Sequence, residues 1–246
     1  MIYPRYASYL HDFFKNVYVD DNCESLSNEY STSVFSQLGH VCFAEHNILE
    51  ALTGLNLKKG IGPDKVSPLL LHNCANSLSV PLTFIFNKSL SVGIFPQKWK
   101  ISYISPIHKS GSRRSVENYR GVAILPTIGK LFELLVTQVM TRHFRHFISP
   151  AQHGFMSGRS TVTNLLEFSN CAISVLESGE QLDVVYTDIR KAFDRLNHSI
   201  LLKKLNSIGV YASLLSWIRS YLQNRSQYAR IFGWESHTFT VHSGVP

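Results

Sequence analysis

The segment VVYTDIRKAFDRLNH, residues 184–198, constrains the fold more than any other stretch of the chain. Leu182, Val184, Val185 and Tyr186 form a short apolar run rich in β-branched side chains, and a helix-compatible stretch follows at once. That switch of pattern predicts a buried strand ending at Asp188 and feeding a helix, the unit from which α/β sheets are built. Sites gather at the carboxyl ends of such strands. A rigidly held carboxylate there suits a divalent cation, because Mg²⁺ wants hard oxygen ligands in near-octahedral geometry. An acid after a strand also serves as a turn former or a helix cap, and Asp188 alone does not decide between these roles.

The remaining pattern is mixed. Ile48, Leu52 and Leu55 sit at helical spacing within 44–57, after an acidic, Asn- and Ser-containing connector, which puts a boundary near residue 40. Ser67-Pro68 and Pro81 both read as helix starts, the second helix ending at Gly93. Ile101 to Ile107 and Tyr119 to Leu125 read as two strands around the basic loop KSGSRRSVEN, a hairpin with a charged tip. Helical patterns follow through Leu131 to Val139, from about Thr163 to Leu176 with Gly179 closing it, and at 201–208 and 214–222. QYARIF and HTFTVH close the chain as strands. The predicted fold is α/β (α+β).

With 44% apolar and 12% aromatic residues in 246, the chain can bury a sizeable core, which argues for a folded globular protein of one or two domains. The net charge of +7 is unevenly spread. Residues 1–56 carry two basic and seven acidic side chains, 57–160 carry fourteen and three, and 161–246 carry eight and seven. A basic excess concentrated in the middle is what binding a polyanion needs, although a solvated basic face would look the same. Cys23, Cys42, Cys74 and Cys171 show no metal-ligand spacing and no disulfide framework, which fits a reducing intracellular compartment. No stretch has the roughly 18 uninterrupted apolar residues of a membrane span, and the first residues do not read as an export signal, so no membrane partner is expected.

Within the segment opened above, D-x-x-K-A-F-D resembles motif A of reverse transcriptases, and further blocks appear in that family's order. They are GIGPDKVSPLLL at 60–71, WKISYISPIHKSG at 99–111, NYRGVAILPTIGKLFELL at 118–135, QHGFMSGRST at 152–161, and SGVP at 243–246 inside motif B. The resemblance covers roughly residues 50–246. Its style is that of non-LTR, LINE-type retrotransposons, with NYRGVAIL jockey-like.

This resemblance implies a right-hand polymerase, with fingers and a partial palm in 44–246 and an acidic connector in 1–43. It implies RNA-directed DNA synthesis on an RNA template, from a DNA primer at a nicked target, with deoxynucleoside triphosphates as substrates, in the cytoplasm and nucleus. Asp188 and the carbonyl of Ile189 would hold Mg²⁺, two ions in the complete enzyme, with Mn²⁺ as a substitute. Phe193 would be the steric gate against a ribose 2′-OH, though core packing would equally select an aromatic. Lys109 and Arg120 would grip the incoming triphosphate, the guanidinium through paired hydrogen bonds, unless they are simple strand-edge charges. Phe155 and Arg159 would contact template by stacking and phosphate binding, with a structural turn as the alternative, and Arg113 and Arg114 at the hairpin tip suit backbone contact. His108 reads as incidental, and Asp194 as a helix-initiating or salt-bridging acid.

One departure stands out: many relatives have proline where this chain has Gly121, a change expected to loosen the local backbone. The family also continues after G-V-P with Gln-Gly and a later Ala-Asp-Asp, which these 246 residues do not contain. The chain as given is therefore expected to be inactive in primer extension. The competing reading is a truncated relic, or a nucleic-acid-binding protein without catalysis.

Overall fold

The structure, a computed structural model, describes residues 3–18, 37–189 and 191–245. Asp20, Asp21, Glu24 and Glu29 of the acidic front segment lie outside them. The described residues divide into two compact units, one formed by 1–143 with 191–246 and the other by 144–190.

In the larger unit, α1 (Tyr3–Lys15) is followed by α2 (Glu45–Thr53), α3 (Pro68–Asn73) and α4 (Ala75–Val92). The side chain of Ser67 caps α3 by accepting from Leu70 N–H at 3.0 Å, with Pro68 at the first helical position where its missing N–H costs nothing. Pro81 does not start a helix as expected; it lies inside α4. A proline there forfeits one backbone bond, and the helix persists because Ala75, Leu82, Phe86 and Leu90 bury one face.

The hairpin expected from residue 101 onward is present. β1 (Ile101–His108) pairs antiparallel with β2 (Tyr119–Ile124), with Ile107 opposite Arg120 and Pro106 opposite Gly121. After α5 (Thr127–Phe144), α6 (Thr161–Glu177) belongs to the smaller unit; α7 (His198–Ser207) and α8 (Ala212–Leu222) return to the larger one. β3 (Arg225–Ile231) runs parallel to β1, while β4 (Trp234–Glu235) and β5 (Phe239–Val241) add antiparallel to its other edge.

Two cores hold this unit. On the helical side Phe86 stacks on Phe132 with ring centroids 4.2 Å apart, Phe95 meets Trp217 edge-on at 5.3 Å, and the Trp217 indole N–H donates to Ser89 Oγ at 2.9 Å. Rings at these separations add to the stabilisation that burial alone gives. On the sheet side Leu10 and Phe14 of α1 pack with Ile104, Ala229, Phe239 and Val241. The Tyr18 hydroxyl, just beyond α1, donates to Gln227 Oε1 on β3 at 2.8 Å. Residues 3–15, within the segment read as a connector, thus form a helix that shares the core of the sheet.

Gly121 acquires a reason here that its sequence neighbourhood did not suggest. A Cβ at this position would stand 2.6 Å from Phe14 Cε1 and 2.8 Å from Ile104 Cγ2. The glycine makes room for α1 on the hairpin, which is a matter of packing and not of loosened backbone. Gly121→Ala, which in an open strand would stabilise modestly, is expected to cost about 1–3 kcal/mol from overpacking. Chemical denaturation checks this, and Phe14→Leu in the same chain should recover part of the loss. A stabilising Gly121→Ala would refute the close packing.

Residues 180–189 form neither helix nor strand, contrary to the expected strand over 182–186. Val185 and Tyr186 are both 84% exposed. A strand is completed by ladder hydrogen bonds to a neighbour, and among the described residues none pairs with this run. Composition makes the segment competent for a strand without making it one.

Candidate nucleotide and nucleic-acid site

The larger unit carries Lys109, Arg113, Arg114, Arg120 and Phe193. Lys109 follows β1 directly, and its backbone N–H donates to Asn118 O at 2.8 Å, extending the ladder past the strand end. The loop beyond is held by polar side chains: Asn118 Nδ2 donates to Ser112 O at 2.9 Å and the Tyr119 hydroxyl to Arg113 O at 2.9 Å. His108, read as incidental, has Nε2 3.1 Å from Gly111 O and its ring edge-on to Tyr119 at 5.3 Å. It is a tether of the basic loop. Lys109 and Arg120 are exposed, as are Arg113 and Arg114 at the tip.

The turn that closes motif A lies within the charge field of this hairpin. Asp194 is half-buried, and burial raises its carboxyl above the ordinary range, opposed by the positive charges of Lys191, Arg120 and Lys109. The two hairpin cations singled out in the sequence therefore share an electrostatic neighbourhood with the K-A-F-D turn. Sequence spacing gave no signal of this charge neighbourhood, because Lys109 and Arg120 are far from Asp194 along the chain.

Residues 243–245 are docked on the same turn. Ser243 Oγ donates to Asp194 O at 2.8 Å, Gly244 N–H to Leu196 O at 2.8 Å, and Val245 N–H to Phe193 O at 2.9 Å. His198, buried at the start of α7, has Nε2 2.7 Å from Gly244 O, so that nitrogen carries the proton. Gly244 adopts φ +78°, and a Cβ there would lie 2.6 Å from Phe193 O. Only glycine lets the two segments approach this closely. Phe193 itself is 59% exposed, so the structure does not use its ring as core packing.

The smaller unit carries Phe155, Arg159, Asp188 and Ile189. Arg159 Nη1 donates to the carbonyls of Pro150 and Gln152, closing the QHGFMSGRS loop on itself. That bonding serves the turn reading directly. Phe155 stands 96% exposed with φ +63°, an uncommon conformation for a bulky residue. Ser160 caps α6, accepting from Thr163 N–H at 3.2 Å. Asp188 is exposed and Ile189 is 76% exposed. Among the described residues no group of three His, Cys, Asp or Glu side chains could hold a metal ion. Asp188 offers the hard oxygen that Mg²⁺ prefers, but one carboxylate and a carbonyl do not amount to a site for a metal pair.

Comparison with known proteins places this arrangement. The family model for reverse transcriptase (RNA-dependent DNA polymerase) matches residues 107–246. The chain belongs to the reverse transcriptase family.

It is similar to three fruit-fly mobile-element proteins. It is 31% identical over 204 residues to the probable RNA-directed DNA polymerase from transposon BS of Drosophila melanogaster, covering 81% of this chain and 22% of that protein. It is 31% identical over 195 residues to the RNA-directed DNA polymerase from mobile element jockey of the same species, covering 78% of this chain and 21% of that protein. It is 30% identical over 207 residues to the probable polymerase from its transposon X-element, covering 83% and 23%. The chain thus spans about a fifth of the length of these relatives. The resemblance read from the ordered blocks, jockey-like flavour included, is borne out. No helix among the described residues is long and apolar enough to cross a membrane.

Proposed function

We propose that this chain is the fingers and partial-palm portion of an RNA-directed DNA polymerase of a non-LTR retrotransposon, with 1–43 leading into a polymerase portion at 44–246. Its substrates are an RNA template, a DNA primer and deoxynucleoside triphosphates, handled in the cytoplasm and nucleus. The observation that carries the reading is the match of residues 107–246 to the family model, a stretch in which Lys109 and Arg120 stand exposed on the β1–β2 hairpin. Two exposed cations on the hairpin suit the phosphates of an incoming nucleotide. Phe193, exposed on that turn, suits a ring laid against the sugar. Phe155 and Arg159, with Arg113 and Arg114, suit template contact. Asp188, with the Ile189 carbonyl, contributes to a divalent-metal site, Mg²⁺ with Mn²⁺ as substitute, that these residues do not complete.

The basic excess of residues 57–160 favours a second reading as well, a chain that holds nucleic acid without catalysis. Filter binding of the chain to a single-stranded RNA across a salt series tests the shared part of both readings. Neutralising several phosphates makes log affinity fall linearly with log salt, by about 0.7 per phosphate contact on a single strand. Affinity that ignores salt, or no binding at low salt, would exclude both.

A further inference from the structure

We infer that the larger unit carries a pocket for one unpaired base of a single-stranded nucleic acid, built by α1, the hairpin tip and the β3–β4 turn, outside the nucleotide site described above. The inference rests on the reading that this chain binds nucleic acid. Among the described residues there is a cavity of ≈ 160 Å³ with a mostly apolar lining, to which Leu10, Tyr6, Tyr119, Phe232, Arg113 and Arg114 contribute. Its size lies below that of sites for drug-sized ligands, about 300–1,000 Å³, and suits a single flat ring system. Aromatic faces beside guanidinium groups are the chemistry that receives an unstacked base and its flanking phosphate, because every base offers a π-face and the backbone a negative charge.

Phe232 gives the pocket a feature that a two-residue hairpin turn does not call for. β3 and β4 are joined by the two-residue turn Phe232-Gly233, whose φ values are +49° and +82°. This is the left-handed hairpin turn for which Asn, Asp or Gly is the usual first residue. A phenylalanine here holds a large ring 79% exposed, in a conformation bulky residues avoid. Backbone kept in a disfavoured region points toward function when the surrounding structure fixes it. Tyr6 is likewise 41% exposed on α1, so both rings are accessible. The basic loop that supplies Arg113 is pinned by the Tyr119 hydroxyl bond to its carbonyl, which fixes the guanidinium bearers relative to the ring.

The test uses the whole 246-residue chain and a single-stranded oligouridine of about 12 nucleotides, with anisotropy for affinity and bromouridine photocrosslinking for contact. Phe232→Asn relieves the turn, so thermal stability should hold or rise while single-strand affinity falls roughly fivefold or more. Phe232→Tyr should keep the affinity, and Arg113→Ala should lower the salt slope by about one. Crosslinks should fall on Tyr6, Tyr119 or Phe232. Wild-type affinity in Phe232→Asn, or crosslinks confined to other residues, would overturn the pocket while leaving nucleic-acid binding intact. Failure of the unmodified chain to bind the oligouridine at low salt would remove both.

Discussion

Asp188→Asn is expected to abolish templated DNA synthesis, by roughly three orders of magnitude or more, the scale on which loss of a catalytic side chain falls. The change is close to isosteric, and Asp188 is exposed, so the fold has no stake in it. What it removes is charge: an amide oxygen remains, but the anionic oxygen that a hard divalent cation prefers does not. The measurement is primer extension by a polypeptide that carries these 246 residues together with the family's second carboxylate motif. Single-stranded RNA binding should persist in the variant, since Lys109, Arg113, Arg114 and Arg120 are unchanged. Near-normal extension by Asp188→Asn would remove Asp188 from the metal site and with it the mechanism proposed for the family motif.

The sequence made the local parts of the fold legible and left the nonlocal parts dark. α7 and α8 announce themselves through apolar spacing of three and four residues, and the 101–124 hairpin through two apolar runs around a charged loop. Those signals live within one element. Pro81 misled because a start signal and a tolerated interior proline look alike until the buried face of α4 is known. The run 182–186 misled for the opposite reason: its residues favour a strand, yet a strand is a property of a pair, and no described neighbour supplies the ladder. Gly121 looked like a loosened proline site; its explanation lies on α1, more than a hundred residues earlier, at Phe14. The site followed the same division. Motif order flagged Lys109, Arg120 and Phe193 because each sits in a recognisable block. Asp194 and His198 gave no such signal for docking the 243–245 segment, because their partners, Ser243 and Gly244, are distant in the chain.

The same distance hides a buried polar cluster whose disruption should cost most in stability. Arg225 opens β3 at 2% exposure, with Nη1 donating to Tyr221 O at 3.0 Å and its guanidinium 4.8 Å from the Tyr221 ring centroid. Burial lowers its pKa, against the countervailing pull of Tyr221, Glu133 and Tyr18. Glu133, on α5, is pushed the other way by burial, and Arg225 and the Tyr221 hydroxyl draw it back. One Glu133 oxygen and two Arg225 nitrogens have no hydrogen-bond partner, so the cluster is only partly satisfied. Such an arrangement is a weak source of stability when whole and a large liability when halved.

Arg225→Ala should therefore destabilise the chain by about 2–5 kcal/mol, because it empties a buried site, removes the bond to Tyr221 O and the stacking on its ring, and takes away the positive charge that favours the Glu133 carboxylate. Arg225→Met with Glu133→Gln should recover most of that loss, because an apolar replacement of similar volume avoids stranding a charge. Urea denaturation of the single and double variants closes the cycle. The pH dependence carries the same logic. Burial and then the charge of Asp194 push the Tyr18 hydroxyl up to about 12, above its unfolded value near 10. A group whose folded pKa is raised contributes stability that is intact below the unfolded value and lost as pH climbs through the folded one. Stability should thus decay between about pH 10 and 12, with Tyr18 ionising late in an absorbance titration. If Arg225→Ala cost less than about 1 kcal/mol, the cluster would be solvated rather than buried, and the coupling drawn from β3 to α5 would not exist.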